Sequence, residues 1–270
     1  MAEISMHKSD TVNDIGGNRC PKQPAAGELP VMELGQMDPG CNFKDFTGTD
    51  DDKQVLNLYN LTRPSTVLFE LKSQGQTIGG GTGVMVKDDG GSCKILTDNH
   101  VVSDATRKKH NIDEIKAVTA DGTAYDITLH KAKPEKDLAV VSIKPKSDDI
   151  CHPIEFVDSE KQFQPGDKAI TFGQPYSSGS VYVSEGTYSS SLTRLDASRQ
   201  LRAEKPPADD DGSRKLDRFN MRAIRGYSGG AVYAPGQNPE KAVGVVDMAD
   251  DMSTMLMTPV TAAEVKDLTD

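Results

Sequence analysis

Three short segments carry side chains that together could cleave an acyl bond. The first is Gly226-Tyr227-Ser228-Gly229-Gly230-Ala231. A serine hydroxyl is a weak nucleophile until a base takes its proton and donors meet the developing oxyanion. Glycines around a serine let the backbone turn tightly and aim its amides inward. In that arrangement the amides of Gly226 and Ser228 form an oxyanion hole. Taken alone, the segment reads equally well as a plain glycine turn. The second is Ile95-Leu96-Thr97-Asp98-Asn99-His100-Val101-Val102, an apolar strand running into a loop that carries a histidine. The other histidines have blander settings. His7 lies near the N-terminus, His110 in a charged stretch, His130 on a candidate strand, and His152 before Pro153. The third is Glu135-Lys136-Asp137-Leu138-Ala139-Val140-Val141. A carboxylate heading an apolar strand can accept an imidazole N–H, fix the tautomer and stabilise the imidazolium. It is also an ordinary place for a turn aspartate.

The elements that must position these groups are mostly short strands. Apolar β-rich runs at Thr66–Leu71, Gly81–Val86, Cys93–Thr97, Ile115–Thr119, Ala124–His130 and Leu138–Ile143 form one set. Runs at Lys168–Phe172, Val181–Tyr188, Gly230–Ala234, Ala242–Asp247 and Met255–Met257 form a second. Turn signals such as Asp121-Gly122 separate them. The expected fold is all-β, with two packed barrels over about 62–145 and 150–260. A helix is expected from Asp51 or Asp52 through Leu61, stopped before Pro64. The capping box Thr261-Ala262-Ala263-Glu264 opens a short C-terminal helix. Ser189 to Asp217, with its acidic Asp209-Asp210-Asp211, is expected as a loop. Residues 1–52 lack periodicity and scatter Pro and Gly, so they read as a disordered or loosely attached arm. An arm that orders on a partner through Phe43 and Phe46 is the sharper alternative. Residues 53–270 then form the folded domain.

The chain has 270 residues, 36% hydrophobic and 27% charged, with a net charge of -10. Such acidity disfavours nucleic acid and anionic membranes, which need a basic face. No apolar run approaches the length that spans a bilayer. The N-terminus lacks the basic and apolar regions of a signal peptide, so a cytoplasmic location is expected. Cys20, Cys41, Cys93 and Cys151 include no CxxC pair, and without a signal peptide they are expected to be free thiols.

The three segments occur in the order His, Asp, Ser across the two strand sets. In this the chain resembles the HtrA/Deg family of trypsin-fold serine proteases. Thr97-Asp98-Asn99-His100-Val101-Val102 resembles the family's TNNHVV, and Pro134 to Val140 its P-x-x-DLA segment. Pro165-Gly166-Asp167 and Phe172-Gly173-Gln174-Pro175 resemble its GD and GNP turns. Arg225-Gly226-Tyr227-Ser228-Gly229-Gly230-Ala231 resembles its RGNSGGA, and Pro259-Val260 through Leu268 its closing helix. The resemblance covers about residues 62–270. It implies a double β-barrel with the active site between the barrels. It also implies a triad of His100 as general base then acid, Asp137 as its orienter and Ser228 as nucleophile. Gly244, Val245, Val246 and Asp247 stand where the family pairs with an extended substrate, and Arg225 borders the same site. This chemistry needs no cofactor and no metal. The implied partner is a protein or peptide substrate, and a homotrimer fits the family.

Several positions depart from the pattern. Val101 follows His100 where digestive trypsins have cysteine. Tyr227 stands where trypsins have Asp and most Deg proteins Asn, so zymogen activation through a new N-terminus is not expected. A ring that large beside the oxyanion amides is expected to bear on their geometry. The chain ends at Asp270 without a PDZ module, so peptide sensing through one is not expected. Met221–Gly226 and Val245–Met248 should frame the primary pocket. The family resemblance favours small or medium aliphatic residues there, whereas Arg222 in the lining would favour an acidic one. The resemblance thus points to a serine endopeptidase acting on extended or unfolded segments. The alternative is a protease-fold module that binds peptides without turnover.

Overall fold

The structure, a computed structural model, describes residues 31–33, 50–88, 93–173, 180–200, 212–236, 240–250 and 253–270. Helix α1 (Asp50–Thr62) ends just before Arg63-Pro64, as the proline demands. Its Val55, Leu56, Leu58 and Tyr59 recur at helical spacing and are buried. Tyr59 meets Phe172 edge-on at 5.7 Å between ring centroids. These side chains share one apolar cluster with Leu68 and Val84 from the first strand set, and with Tyr233 and Val245 from the second. The helix therefore seals a core common to both strand sets.

A three-residue strand, β1 (Val31–Glu33), precedes α1. The first set then comprises β2 (Thr66–Ser73), β3 (Gln76–Lys87), β4 (Cys93–Asp98), β5 (Glu114–Val118), β6 (Ala124–Asp126), β7 (Thr128–Lys133) and β8 (Leu138–Ser142). They form one antiparallel sheet in the order β6-β5-β2-β3-β4-β8-β7, an open half-barrel. Helices α2 (Asn99–Val102) and α3 (Asp104–His110) lie between β4 and β5. The second set comprises β9 (Lys168–Gly173), β10 (Ser180–Thr193), β11 (Lys215–Asn220), β12 (Ala231–Tyr233), β13 (Ala242–Ala249) and β14 (Thr254–Pro259). Because β9 pairs with both β10 and β12, these six strands close into a ring. Closure leaves no edge to cap and gives the Ser-bearing turn a rigid support. The expected double barrel is the observed architecture.

Helix α5 (Ala262–Thr269) opens with the expected capping box between Thr261 and Glu264. It is tied to the first sheet by charge. Lys133 pairs with Asp267, Lys136 with Glu264, and Lys94 donates to the Thr269 carbonyl. Lys136 directly precedes Asp137, so this tie reaches the edge of the site. Among the described residues no helix is long and apolar enough to cross a membrane.

Two expectations need correction. Cys93 and Cys151 form a disulfide, with Cα atoms 5.7 Å apart across 58 residues of sequence. Spacing in the chain said nothing of this proximity, which arises because the segment after β8 returns past β4. Cys20 and Cys41 lie outside the described residues, as do Phe43 and Phe46. The stretch from Ser189 is not simply a loop. Ser189–Thr193 completes β10, Arg194–Gln200 forms helix α4, and Lys215 begins β11. The charges of Lys215, Asp217 and Arg218 masked the strand, whose Leu216 and Phe219 are buried. Asp217 is itself buried and accepts from Ser191 Oγ at 2.6 Å. The acidic tip at 209–211 lies outside the described residues. Within the expected arm, Val31–Glu33 pairs antiparallel with Ser180–Tyr182 of β10.

Candidate active site

Asp137 is held in an unusual backbone state for a reason visible in the sequence. Pro134-Glu135-Lys136 forms one 3-10 turn, and Asp137 ends it at φ 54°, ψ 35°. Aspartate tolerates this left-handed conformation better than most residues. The turn delivers Asp137 against the end of β4. Its carbonyl accepts the Asn99 N–H at 2.8 Å, and its Oδ1 accepts the His100 N–H at 2.8 Å. Its Oδ2 lies 2.7 Å from His100 Nδ1. Three contacts thus clamp the entry to α2 onto the start of β8. Burial works to raise the Asp137 pKa, but the His100 charge, its hydrogen bonds and Arg214 outweigh it and hold the carboxyl below its ordinary range. Enclosure by the cleft walls opposes a charged imidazole, yet Asp137, and Asp247 behind it, raise the His100 pKa above its ordinary value.

Ser228 comes from the other barrel. Thr82 of β3 donates its N–H to the Ser228 carbonyl at 2.8 Å and its Oγ1 to the Gly226 carbonyl at 2.7 Å. Gly229 donates to the Val246 carbonyl at 2.8 Å, and Gly230 to the Tyr227 carbonyl at 2.9 Å. These bonds fix the turn from both sides. Among the described residues, neither Gly226 N–H nor Ser228 N–H donates to a protein acceptor. Two donors flanking a serine are therefore left open, as an oxyanion hole requires. Gly226 itself has φ +106°, a conformation that strains any other residue. The Ser228 hydroxyl donates to the Asp247 carbonyl at 3.5 Å, a long contact, and makes no hydrogen bond to His100.

Gly229 has φ +84°, and a Cβ there would meet Thr82 O and Thr97 Oγ1. Left-handed strain and this clash together are worth about 2–5 kcal/mol. Gly229→Ala is expected to lower the free energy of unfolding by that amount, measured by urea titration.

Tyr227 does not crowd the oxyanion amides. Its ring turns inward and is buried among Phe163, Phe219 and Met221. It lies so close over Gly173 that a Cβ there would meet the ring at 2.6 Å. The large residue is admitted because position 173 is glycine. Burial raises its phenol pKa well above the ordinary value.

Gly244, Val245 and Val246 are not free to pair with a substrate, contrary to expectation. Gly244 and Val245 sit between β12 and β14 in the closed ring, and Val246 exchanges both backbone bonds with Gly229 and Gly230. The β12 pairing ends at Val245. The next residues, Asp247 to Ala249, keep β14 on one side only. Arg225 is exposed at the rim, as is Arg222, while Met221 and Ala223 are buried.

Two groups were not anticipated. Arg214, 10% exposed, lies 2.5 Å from Asp247 Oδ2 and 3.8 Å from Asp137 Oδ2. It also donates to the Lys136 carbonyl at 2.8 Å and to Thr258 Oγ1 at 2.9 Å. One guanidinium thus links a carboxylate of each barrel. Asp98 is fully buried, and neither of its oxygens finds a hydrogen-bond partner. Burial, reinforced by Asp137 and Asp247, pushes its pKa well above the ordinary carboxylate value. The one sequence signal was acidic Asp98 standing where the resemblance has Asn. Asp98, His100 and Asp137 bring three donor atoms within 4.8 Å of one another, the one group with a cation-site arrangement among the described residues.

Residues 81–245 match the family model described as a trypsin-like peptidase domain. A search of curated protein sequences finds no match. Among solved structures the chain is similar to Deg5, at 19% identity and a TM-score of 0.58, over 78% of this chain and 90% of that one. It is similar to the active form of the Rv3671c protease from M. tuberculosis, at 19% identity and 0.55, over 77% and 80%. It is also similar to the serine endoprotease from Yersinia pestis, at 19% identity and 0.54, over 76% and 62%. At such identities these three speak to the fold.

Proposed function

The chain belongs to the family of trypsin-like peptidase domains and is a serine protease; from that premise we propose that it is an endopeptidase working through His100, Asp137 and Ser228. The observation that carries the reading is the pairing of a hydrogen-bonded His–Asp couple with two unengaged amides around one serine. In the first step the Ser228 hydroxyl swings from the Asp247 carbonyl to the imidazole. His100 takes its proton as Oγ attacks the scissile carbonyl, and the amides of Gly226 and Ser228 receive the oxyanion. His100, held by Asp137, then returns the proton to the leaving amine. An acyl-enzyme remains, and water cleaves it by the same route.

An extended substrate suits the free side of Asp247–Ala249. A strand added there forms main-chain bonds without regard to side chains, which favours unfolded or exposed segments. A substrate N–H at the Asp247 carbonyl would also release the Ser228 hydroxyl toward His100. The second reading, a peptide-binding module without turnover, draws on that same hydroxyl, which contacts the Asp247 carbonyl and not the base.

Fluorophosphonate labelling read by intact mass separates the two. One adduct on the wild type, absent from Ser228→Ala, is expected. No adduct on folded protein would overturn the endopeptidase reading and leave the binding module.

A further inference from the structure

The cleft continues beyond Ser228 on the side of His100. A concavity of about 740 Å³ opens there, with His100, Gly226 and Ser228 on its inner wall. Its floor is apolar, formed by Leu71, Ile78, Val101 and Ile112. Ile78 is 51% exposed, one of few large apolar side chains left open to solvent among the described residues. Its rim is basic. Arg225 and His110 are both among its lining residues. His110 closes α3, whose last turn is Arg107, Lys108, Lys109 and His110. The only carboxylate of that helix, Asp104, is in its first turn.

Chemistry decides which half of a substrate this concavity meets. The leaving amine takes its proton from His100, so the residues after the scissile bond lie on the His100 side of Ser228. The residues before it lie toward Asp247. Beyond the Ser228 turn, the lining comes from β2, β3, α2, α3 and Ile112, and none comes from Asp247–Ala249. This is therefore the leaving-group side.

We propose that the concavity selects an acidic leaving segment: an apolar residue directly after the cut, then Asp or Glu within the next two positions. The apolar side chain covers Ile78 and its neighbours, and the carboxylate is read by Arg225 and the last turn of α3. A basic rim in a chain of net charge -10 is a local reversal of sign, which steers and registers an acidic peptide. The inference rests on the endopeptidase reading and adds to it the substrate class.

The test uses the full chain and three peptides that share the best acyl-side sequence from an unbiased cleavage profile. They differ only after the cut, carrying Leu-Glu, Leu-Gln or Leu-Lys. The readout is the ratio of kcat/KM between peptides. One or two exposed charge pairs give Glu over Gln a preference of about 3- to 10-fold, with Lys below Gln. The ratio should shrink as salt rises from about 0.05 to 0.5 M, and fall toward one in Arg225→Gln and in Lys108→Gln/Lys109→Gln. Equal cleavage of all three peptides, or a ratio that neither salt nor these variants change, overturns the subsite and leaves the endopeptidase reading standing. Absence of both cleavage and fluorophosphonate labelling overturns the two together.

Discussion

Asp137→Asn lowers kcat by about 10,000-fold and leaves KM within a few-fold, a magnitude seen when the orienting aspartate of a Ser-His-Asp triad is neutralised without moving it. Geometry supplies the reason. Asp137 Oδ1 takes the His100 backbone N–H and Oδ2 takes Nδ1. An asparagine oxygen can satisfy the backbone N–H, but its NH₂ then faces Nδ1. The imidazole is forced to keep its proton on Nε2, where it cannot accept one from Ser228. Steady-state kinetics on a peptide substrate, with circular dichroism to show the fold intact, checks this. A loss of less than about tenfold would mean that Asp137 does not orient the base.

Arg214→Met has two effects that can be separated. Removing one partner of a buried ion pair leaves the other uncompensated and costs about 3–5 kcal/mol. Here the orphan is Asp247, which is 1% exposed and 2.5 Å from the guanidinium. The kinetic effect comes through Asp137, which Arg214 holds in its ionised form and braces through the Lys136 carbonyl. We expect kcat to fall about 10- to 100-fold with little change in KM. Arg214 also opposes protonation of His100. The base is active when neutral, so loss of that charge moves the acidic limb of kcat/KM to higher pH. The double variant Arg214→Met/Asp247→Asn removes the orphan charge and should recover most of the stability but not kcat. If it recovers both, Arg214 serves only to balance Asp247. Urea titration and a pH–rate profile of both variants distinguish these outcomes.

What the sequence revealed of the site was local. His100 stood out because an apolar strand runs into it, Asp137 because it heads another, and Ser228 because glycines surround it. Each signal lies within a few residues of its side chain. The glycine turn, the terminal capping box and the stop before Pro64 were legible for the same reason. Arg214 was not, because its partners belong to other strands and an arginine before a strand has no distinguishing neighbours. The Cys93–Cys151 bridge depends on how the connector folds back. Strand β11 was hidden because its buried aspartate is satisfied by Ser191 from β10, a partner that only the sheet register reveals. Gly244–Val246 were correctly read as a strand, but only the ring shows that both its sides are taken.

The disulfide also bears on what a cleaved molecule would be. The two barrels divide the chemistry, with His100 and Asp137 on one and Ser228 on the other, and the exposed stretch around Lys144, Lys146 and Ser147 joins them. Cys93 lies before that stretch and Cys151 after it. A nick there would leave the halves covalently joined and their shared core closed, so the two fragments would separate only on reduction and denaturation. For a serine protease, such a staple makes its own connector a tolerable casualty.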